Sequence, residues 1–142
     1  MRFQNILIVC IGNICRSPMA EYLLKHELPH LSVTSAGIAG LEGQPADSKA
    51  EYCMQQMGIN LAPHIARRLN QVMLKDADLI LVMSEKQQKH IEQIWPFSKG
   101  KIFRLGHWKN INIADPYQKD QAVFDHTCQL IQQCVLDWKK HI

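Results

Sequence analysis

Cys10 and Arg16 are the two residues of this chain whose types and spacing point most directly to chemistry. Five residues separate them, between an apolar run at 6–9 and a helical pattern that opens near Ser17. This order predicts a strand, a tight loop and a helix N-terminus. Such a terminus attracts anions through its unpaired N–H groups, and an arginine fork can bind two phosphate oxygens at once. The segment therefore predicts a loop that holds a phosphate-like dianion against a cysteine.

The residues inside this loop suit both the binding of an anion and a nucleophilic attack by Cys10. Gly12 can adopt a positive φ without steric cost, and Asn13 tolerates the left-handed region better than most residues. The positive field favours the thiolate of Cys10, which is its nucleophilic form, and the Ser17 hydroxyl can donate to it. We therefore predict displacement of phosphate from an ester through a cysteinyl-phosphate. The phosphate-loop patterns G-x-x-x-x-G-K-[ST] and G-x-G-x-x-G do not occur.

Asp115 is the predicted general acid. A carboxylic acid beside the bridging oxygen can protonate the leaving group, and its carboxylate can then take a proton from water. Pro116 stiffens the backbone beside it. Ligands of parallel sheets bind beyond the carboxyl ends of the strands, so the loops after the first and fourth strands are expected to bring Asp115 to Cys10. An ordinary Asp-Pro turn is the alternative interpretation.

Strands and helices alternate along the chain, which indicates a parallel sheet with right-handed crossovers. Strands are predicted at about 5–10, 31–35, 79–83 and 101–105. Helices are predicted at about 18–28, 48–58, 69–75 and 84–96, and a last helix carries an apolar stripe over 127–138. Capping boxes are predicted to open two of these helices, at Ser48 and at Ser84.

The motifs also resemble those of a known family. Residues 9–18 resemble the signature of the low-molecular-weight protein tyrosine phosphatases, and the resemblance extends in order through Val33–Gly37, Pro63–Arg68, Asp78–Met83 and Asp115–Tyr117. It implies an enzyme that hydrolyses phosphotyrosine without metal or cofactor, in one domain over 1–142. The implied fold is a three-layer α/β fold of the flavodoxin-like phosphotyrosine phosphatase I type. Its four-stranded parallel sheet has the order 2-1-3-4, with helices on both faces.

The predicted site contains three catalytic residues and a set of binding and supporting residues. Cys10, Arg16 and Asp115 are the catalytic residues. The residues expected at the substrate are Ile11, Gly12, Asn13, Ile14, Cys15, Ser17, Leu41 and Tyr117. Asn13, Ser17 and His64 are expected to support the loop, and no metal ligands are predicted. Tyr117 is predicted to pack on the phenyl ring of phosphotyrosine, with a partly buried loop aromatic as the alternative. The alternative for His64 is an ordinary surface histidine.

The five cysteines are assigned different roles. Cys15 is close enough to Cys10 to form a reversible disulfide under oxidation, or else is an unreactive buried thiol. Cys53, Cys128 and Cys134 lie on helical patterns and are predicted to belong to the core. An odd number of cysteines does not suggest a secreted disulfide framework, so we predict a cytoplasmic protein.

Two departures and one further motif refine the resemblance. Arg68 stands where the family often has glutamine, and Gln118 stands where vertebrate members carry a second tyrosine. Gly106-His107-Trp108 resembles the bacterial branch associated with exopolysaccharide export. The implied substrate is therefore a bacterial tyrosine autokinase.

Composition limits the remaining possibilities. The chain has 142 residues, 46% of them hydrophobic, and a net charge of +3. This is enough for a real core, and the charge is too small to argue for nucleic acid. The apolar stretches are too short for a membrane helix. We expect a monomer that is not inserted in a membrane.

Two other functions share parts of this pattern. A thioredoxin-coupled arsenate reductase of the same fold needs two more redox cysteines, which in that family follow the third strand; residues 82–89 contain none. A non-catalytic phosphotyrosine-binding module would show a degraded loop or a missing acid. Neither is seen, so the phosphatase is the preferred interpretation.

Overall fold

The computed structural model describes residues 3–142 and, within that range, alternates strands with helices. The strands are β1 (Asn5–Cys10), β2 (Ser32–Gly37), β3 (Leu79–Val82) and β4 (Ile102–Arg104). The helices are α1 (Arg16–Glu27), α2 (Ser48–Gln55), α3 (Gln71–Asp76), α4 (Glu85–Ile94) and α5 (Gln121–Lys139). Single 3-10 turns occur at Pro96–Ser98 and His107–Lys109. Each predicted strand and helix is confirmed to within a few residues at its ends.

The four strands form one parallel sheet in the order β2-β1-β3-β4, as predicted. Helices cover both of its faces. Ile6, Ile8 and Cys10 of β1 pack with α1, α2 and α5, whereas Leu7 and Val9 pack on the opposite side with α3 and α4. A central strand buried on both faces has no solvent side, which explains why β1 is a continuous apolar run.

The strand order places a crevice at the end of β1. The chain leaves β1 for β2 on one side of it and then crosses to β3 on the other. Connections that diverge in this way open a space beyond the carboxyl end of the central strand. Cys10 is the last residue of that strand.

β2 continues two residues further than predicted, and its end lies against the loop that follows β1. Gly37 pairs with Cys10. A Cβ added at Gly37 would lie 2.4 Å from the carbonyl oxygen of Ile11 and 3.0 Å from the backbone nitrogen of Asn13. Only glycine permits this approach, so Gly37 fixes how closely the two segments pack.

The helix starts differ from the predictions in two places. α1 begins at Arg16 rather than Pro18, and within residues 3–142 no side chain caps it. The capping box at Ser48 is wrong, because the N-cap is Asp47, whose carboxylate accepts from the backbone N–H of Lys49 at 2.8 Å. A carboxylate at this position also favours the positive end of the helix dipole. Ser84 is confirmed as an N-cap, because its Oγ accepts from the backbone N–H of Gln87, but the Gln87 side chain accepts from the N–H of Met83 and closes no box on Ser84.

The long helix α5 completes the core on the α1 side of the sheet. Its predicted apolar stripe is confirmed, since Thr127, Ile131, Cys134, Val135 and Trp138 are buried. No helix within residues 3–142 has the length and apolar character needed to cross a lipid bilayer.

Candidate active site

The loop between β1 and α1 surrounds the sulfur of Cys10. Its left-handed residue is Asn13, with φ 61°, and Gly12 does not adopt a positive φ. This conformation directs the Asn13 backbone N–H toward Cys10 Sγ, at 3.3 Å. Ser17 Oγ lies 2.9 Å from the same sulfur. Two polar groups therefore converge on a thiol that is only 2% exposed.

The guanidinium of Arg16 is buried and only partly paired. Its side chain donates from Nη1 to the carbonyl oxygen of Ile113 at 2.8 Å, and the residue is 4% exposed. Among the described residues, its Nε is a buried nitrogen without a hydrogen-bond partner. A buried donor left unpaired is costly and uncommon, so an oxygen of a bound anion is the partner that this position can take.

Cys10 and Arg16 both line a cavity of about 200 Å³. The cavity is lined by Cys10, Ile11, Gly12, Ile14, Cys15, Arg16, Ala39, Leu41, Asp115 and Tyr117. Ile11, Leu41 and Tyr117 are 41–44% exposed, whereas Cys10 and Arg16 are almost fully covered. The polar groups thus lie deep and the apolar side chains lie near the opening, an arrangement that fits an anion attached to an apolar group.

Asp115 lies at the same cavity, as the loop placement predicted. Its Oδ2 is 3.5 Å from Arg16 Nη2, and its side chain is 45% exposed. Its Oδ1 accepts from the backbone N–H of Tyr117 at 3.0 Å, which forms a local turn through Pro116. A carboxyl group in this position is close to an anion held by Arg16.

Three predicted residues lie behind the loop rather than in the cavity. Asn13 and Ser17 are fully buried, and His64 is 5% exposed. Asn13 Nδ2 donates to Ser17 Oγ at 2.8 Å and to Ser35 Oγ at 2.9 Å. His64 Nε2 donates to the carbonyl oxygen of Asn13 at 2.7 Å. These contacts match a supporting position; neither Asn13 nor Ser17 lines the cavity where the substrate prediction placed them.

Several residues of the site escaped the sequence analysis. Glu21 and Ser35 are buried behind the loop, the Arg67 backbone N–H donates to Asn13 Oδ1 at 2.8 Å, and Ala39 lines the cavity. The signal for two of them was present in the pattern. Ser35 follows Val33 at an inward-facing position of β2, and Glu21 lies among the apolar residues of α1. A polar residue at a core position implies a buried partner.

The cysteines separate into two groups. Cys15 lines the cavity, and burial raises its pKa far above the ordinary thiol range, so it stays protonated at neutral pH. Burial also raises the pKa of Cys134 to about 11. Cys53, Cys128 and Cys134 are buried in the core, as predicted, and none of the three lines this cavity.

Fold and site together define a class. A doubly wound parallel sheet carries a cysteine, a buried arginine and a carboxylate around one small cavity at its switch point, which is typical of a phosphate-binding α/β protein.

Comparison with known proteins identifies the family within this class. Residues 5–142 match the family described as "Low molecular weight phosphotyrosine protein phosphatase". The chain is 67% identical, over all 142 residues and the whole of the relative, to the low molecular weight protein-tyrosine-phosphatase Ptp of Acinetobacter johnsonii. This chain therefore belongs to the low-molecular-weight protein-tyrosine-phosphatase family and is an enzyme of that kind.

Solved structures agree with this assignment. Wzb of Vibrio vulnificus in complex with benzylphosphonate superposes with a TM-score of 0.96 at 36% identity, covering 99% of this chain and all of that one. The YwlE arginine phosphatase of Geobacillus stearothermophilus superposes with a TM-score of 0.92 at 30% identity, over 97% and 92% of the two chains. One fold thus carries phosphatases named for different phosphorylated residues.

Proposed function

We propose that the protein hydrolyses phosphotyrosine through a cysteinyl-phosphate formed on Cys10. The observation that carries the proposal is the buried Nε of Arg16, which has no hydrogen-bond partner among the described residues, in a residue that lines the same cavity as Cys10. A phosphate oxygen would satisfy that nitrogen, and the uncapped first turn of α1 offers further N–H donors. An anion bound there lies against the sulfur.

The first step forms an S–P bond and breaks the bond between phosphorus and the aryl oxygen. The thiolate supplies the electron pair, and Asp115 gives its proton to the departing phenolate oxygen. In the second step water attacks phosphorus and the S–P bond breaks. The Asp115 carboxylate takes the proton from water, and the sulfur leaves as a thiolate that accepts from Ser17 and the Asn13 backbone N–H.

Preference for an aryl ester is supported by the cavity walls. Ile11, Ile14, Leu41 and Tyr117 line the cavity, and their apolar surfaces suit a phenyl ring better than a short serine side chain. The depth of Cys10 and Arg16 favours a long ester for the same reason. Phosphoarginine is the alternative substrate to compare with phosphotyrosine, because the YwlE neighbour is named an arginine phosphatase.

The experiment is a rapid-quench reaction with 4-nitrophenyl phosphate. We expect a burst of nitrophenol equal to the enzyme concentration, with one phosphoryl group on Cys10 by mass spectrometry and none in Cys10→Ala. Peptides carrying phosphotyrosine, phosphoserine or phosphoarginine at one position then rank the substrates. Absence of both the burst and the adduct would overturn the mechanism; preferred hydrolysis of phosphoarginine would overturn the substrate.

The proposed physiological substrate is a bacterial tyrosine autokinase of capsule or exopolysaccharide export, met in the cytoplasm. The support is the Gly106-His107-Trp108 resemblance, together with five free cysteines that suit a reducing compartment. Cells lacking the protein are expected to accumulate the phosphorylated autokinase, and Cys10→Ser is expected not to restore its dephosphorylation. An unchanged phosphorylation state of the autokinase would contradict the proposed physiological substrate and leave the proposed reaction in place.

A further inference from the structure

Four sulfur atoms meet between α1, α2 and α5, away from the proposed active site. They belong to Met19 of α1, to Cys53 and Met54 of α2, and to Cys128 of α5. We refer to these four residues as the sulfur cluster. All four are at most 5% exposed, and none of them lines the cavity of Cys10. The proposed reaction therefore leaves two buried thiols and two buried thioethers without a role.

The sulfur atoms of the cluster contact one another in a series. Cys53 Sγ lies 3.7 Å from Met19 Sδ, and Cys128 Sγ lies 3.6 Å from Met54 Sδ. The thiols of Cys53 and Cys128 are within hydrogen-bond reach of each other. The Cys53 thiol can turn its hydrogen to the Ala50 carbonyl oxygen at 3.3 Å, which leaves the electron pairs of its sulfur available to the cluster.

These spacings are those of ligands that share one metal ion. A sulfur ligand lies about 2.3 Å from its metal, so two ligands of a tetrahedral ion lie about 3.8 Å apart. The two measured S–S separations, 3.6 and 3.7 Å, fall just below this value. Small movements of flexible methionine side chains are enough to open the remaining space, because a thioether chain adapts easily to its surroundings.

A surface cavity of about 190 Å³ leads to the two thiols. It is lined by Cys53, Gln56, Met57, Asp125, Cys128 and Gln129. The fully buried Met19 and Met54 do not line it, so an entering ion meets the thiols first. The Asp125 carboxylate attracts a cation to this cavity, and the exposed Gln56 and Gln129 lie at its opening. The sulfur cluster thus has the entry path that a metal site requires.

The donor set decides which ion fits. Hard ions such as Mg²⁺ and Ca²⁺ prefer oxygen ligands, and zinc sites are built from cysteine, histidine and carboxylate. Within residues 3–142, no group of three or more such side chains, counting His, Cys, Asp and Glu, is placed to hold a metal ion. An ion at the sulfur cluster would depend on the thioethers, and mixed thiolate and thioether ligands select Cu(I).

We propose that the sulfur cluster is a binding site for a soft monovalent metal ion of the Cu(I) type. Cys53 and Cys128 bind the ion as thiolates, and Met19 and Met54 complete its coordination with thioether sulfur. Each cysteine exchanges its thiol proton for a Cu–S bond, and the protons pass to water. Copper enters and stays as Cu(I), so no electron is transferred.

The first test is a titration of the reduced native protein with Cu(I) in the absence of oxygen, in competition with the chromogenic chelator bicinchoninate. We expect the protein to withhold at least one Cu(I) per chain from the chelator and to release thiol protons as it does so. If the chelator kept all the copper, the sulfur contacts would be ordinary core packing and the proposal would fall.

The second test locates the ion, because Cys10 and Cys15 line one cavity and are a rival pair of thiols. Cys10→Ser breaks that pair and is expected to retain one tightly bound Cu(I). Adding Cys53→Ser or Cys128→Ser to it is expected to abolish this binding. Cys134→Ser is the matched control, because Cys134 is buried in the same helix outside the cluster, and its addition should change nothing. Retention of copper without Cys53 and Cys128 would overturn the proposal.

The third test addresses the thioethers and stays informative where a cysteine variant does not fold. Met54→Leu conserves volume in the core and is expected to keep the fold. We expect it to weaken Cu(I) binding by at least about tenfold, the lower end of the loss seen when a supporting partner of a metal is removed. X-ray absorption of the copper complex of Cys10→Ser should show sulfur neighbours alone, at about 2.3 Å. An unchanged affinity in Met54→Leu, or nitrogen or oxygen neighbours of copper, would contradict the four-sulfur site.

Discussion

The two sides of the cavity are held in different ways. On the side of Cys10, the supporting groups are Asn13, Ser17 and His64, all at most 5% exposed and joined by hydrogen bonds of 2.7–2.8 Å. On the side of Asp115, the carboxyl group is 45% exposed and meets Arg16 at 3.5 Å. The proposed nucleophile is thus fixed in advance, while the proposed acid is held by contacts that a substrate can replace.

Under the proposed mechanism, this difference corresponds to two separate tasks. Attack on phosphorus demands fixed alignment of sulfur and anion, which a buried network supplies. Protonation of the leaving group depends on how each ester sits, and a side chain on an exposed turn can adjust to it. A substitution on the Cys10 side should therefore lower kcat for every substrate alike. A substitution on the Asp115 side should lower kcat by an amount that depends on the leaving group.

The largest effect is expected from Cys10→Ser. It should lower kcat for an aryl phosphate by at least about a thousandfold with all leaving groups, because no other group can take the place of the thiolate. Steady-state kinetics with a series of substituted phenyl phosphates measures this. Binding of a phosphotyrosine peptide, measured by calorimetry, should persist, and appreciable turnover by this variant would remove Cys10 from its role.

Asp115→Asn should have a smaller and uneven effect. With phenyl phosphate, a poor leaving group, we expect kcat to fall by about a hundredfold, whereas a dinitrophenyl ester that leaves without a proton should react almost normally. Asp120→Asn is the matched control, because Asp120 is the N-cap of α5 and asparagine caps equally well. Equal losses with both esters would argue against the acid assignment.

Gly37→Ala perturbs the buried side without removing a functional group. The added Cβ would lie 2.4 Å from the Ile11 carbonyl oxygen, so the loop or β2 must shift, at a cost of about 2 kcal/mol in the free energy of unfolding. We expect kcat to fall for good and poor leaving groups in the same proportion. Thermal unfolding and the same ester series measure both quantities.

The control for this change is Gly43→Ala. A Cβ at Gly43 meets nothing within 4 Å, although its φ of +81° makes the substitution strained. Stability should fall without a change in kcat. If Gly37→Ala retained the native kcat, the close approach of β2 would not determine the catalytic conformation of the loop between β1 and α1.

The smallest effect is expected at Asp78, at the opposite end of β1. The backbone N–H groups of Asn5 and Gln4 donate to its carboxylate and lower its pKa. Because this pKa is lower in the folded protein than in the unfolded chain, the Asp78 carboxylate stabilises the folded state at pH values above about 3.9, the ordinary pKa of aspartate. This stabilisation is lost as the pH falls through the pKa of Asp78 in the folded protein. Asp78→Asn should thus lower Tm at neutral pH, with a difference that narrows in acid, and leave kcat unchanged.

The sequence predicted the fold well because its signals are local. The apolar run of β1, the helix starts and the order of elements along the chain are enough to indicate a parallel sheet, and Cys10, Arg16 and Asp115 follow from the ends of its strands. The cap at Ser48 was wrong for a local reason: Asp47 precedes it, and its carboxylate is an equally good cap with a charge in addition.

The parts that escaped prediction depend on distant partners. Nothing near Glu21 in the sequence shows that its carboxylate meets Ser35, fourteen positions away, or that Ser35 meets Asn13. Gly37 could be assigned to a turn, but its close approach to Ile11 depends on the register of β2 against β1. Such contacts exist only after the sheet has formed.

The pairing of Arg16 with Asp115 bears on how the catalytic cycle ends. When inorganic phosphate leaves, the carboxylate 3.5 Å from the guanidinium is already in position as a replacement anion. Under the proposed mechanism, this pairing would give the buried cation a counter-charge in place of the phosphate and would lower the free-energy cost of product release. The residue proposed to assist bond cleavage would thereby also help to empty the site for the next substrate.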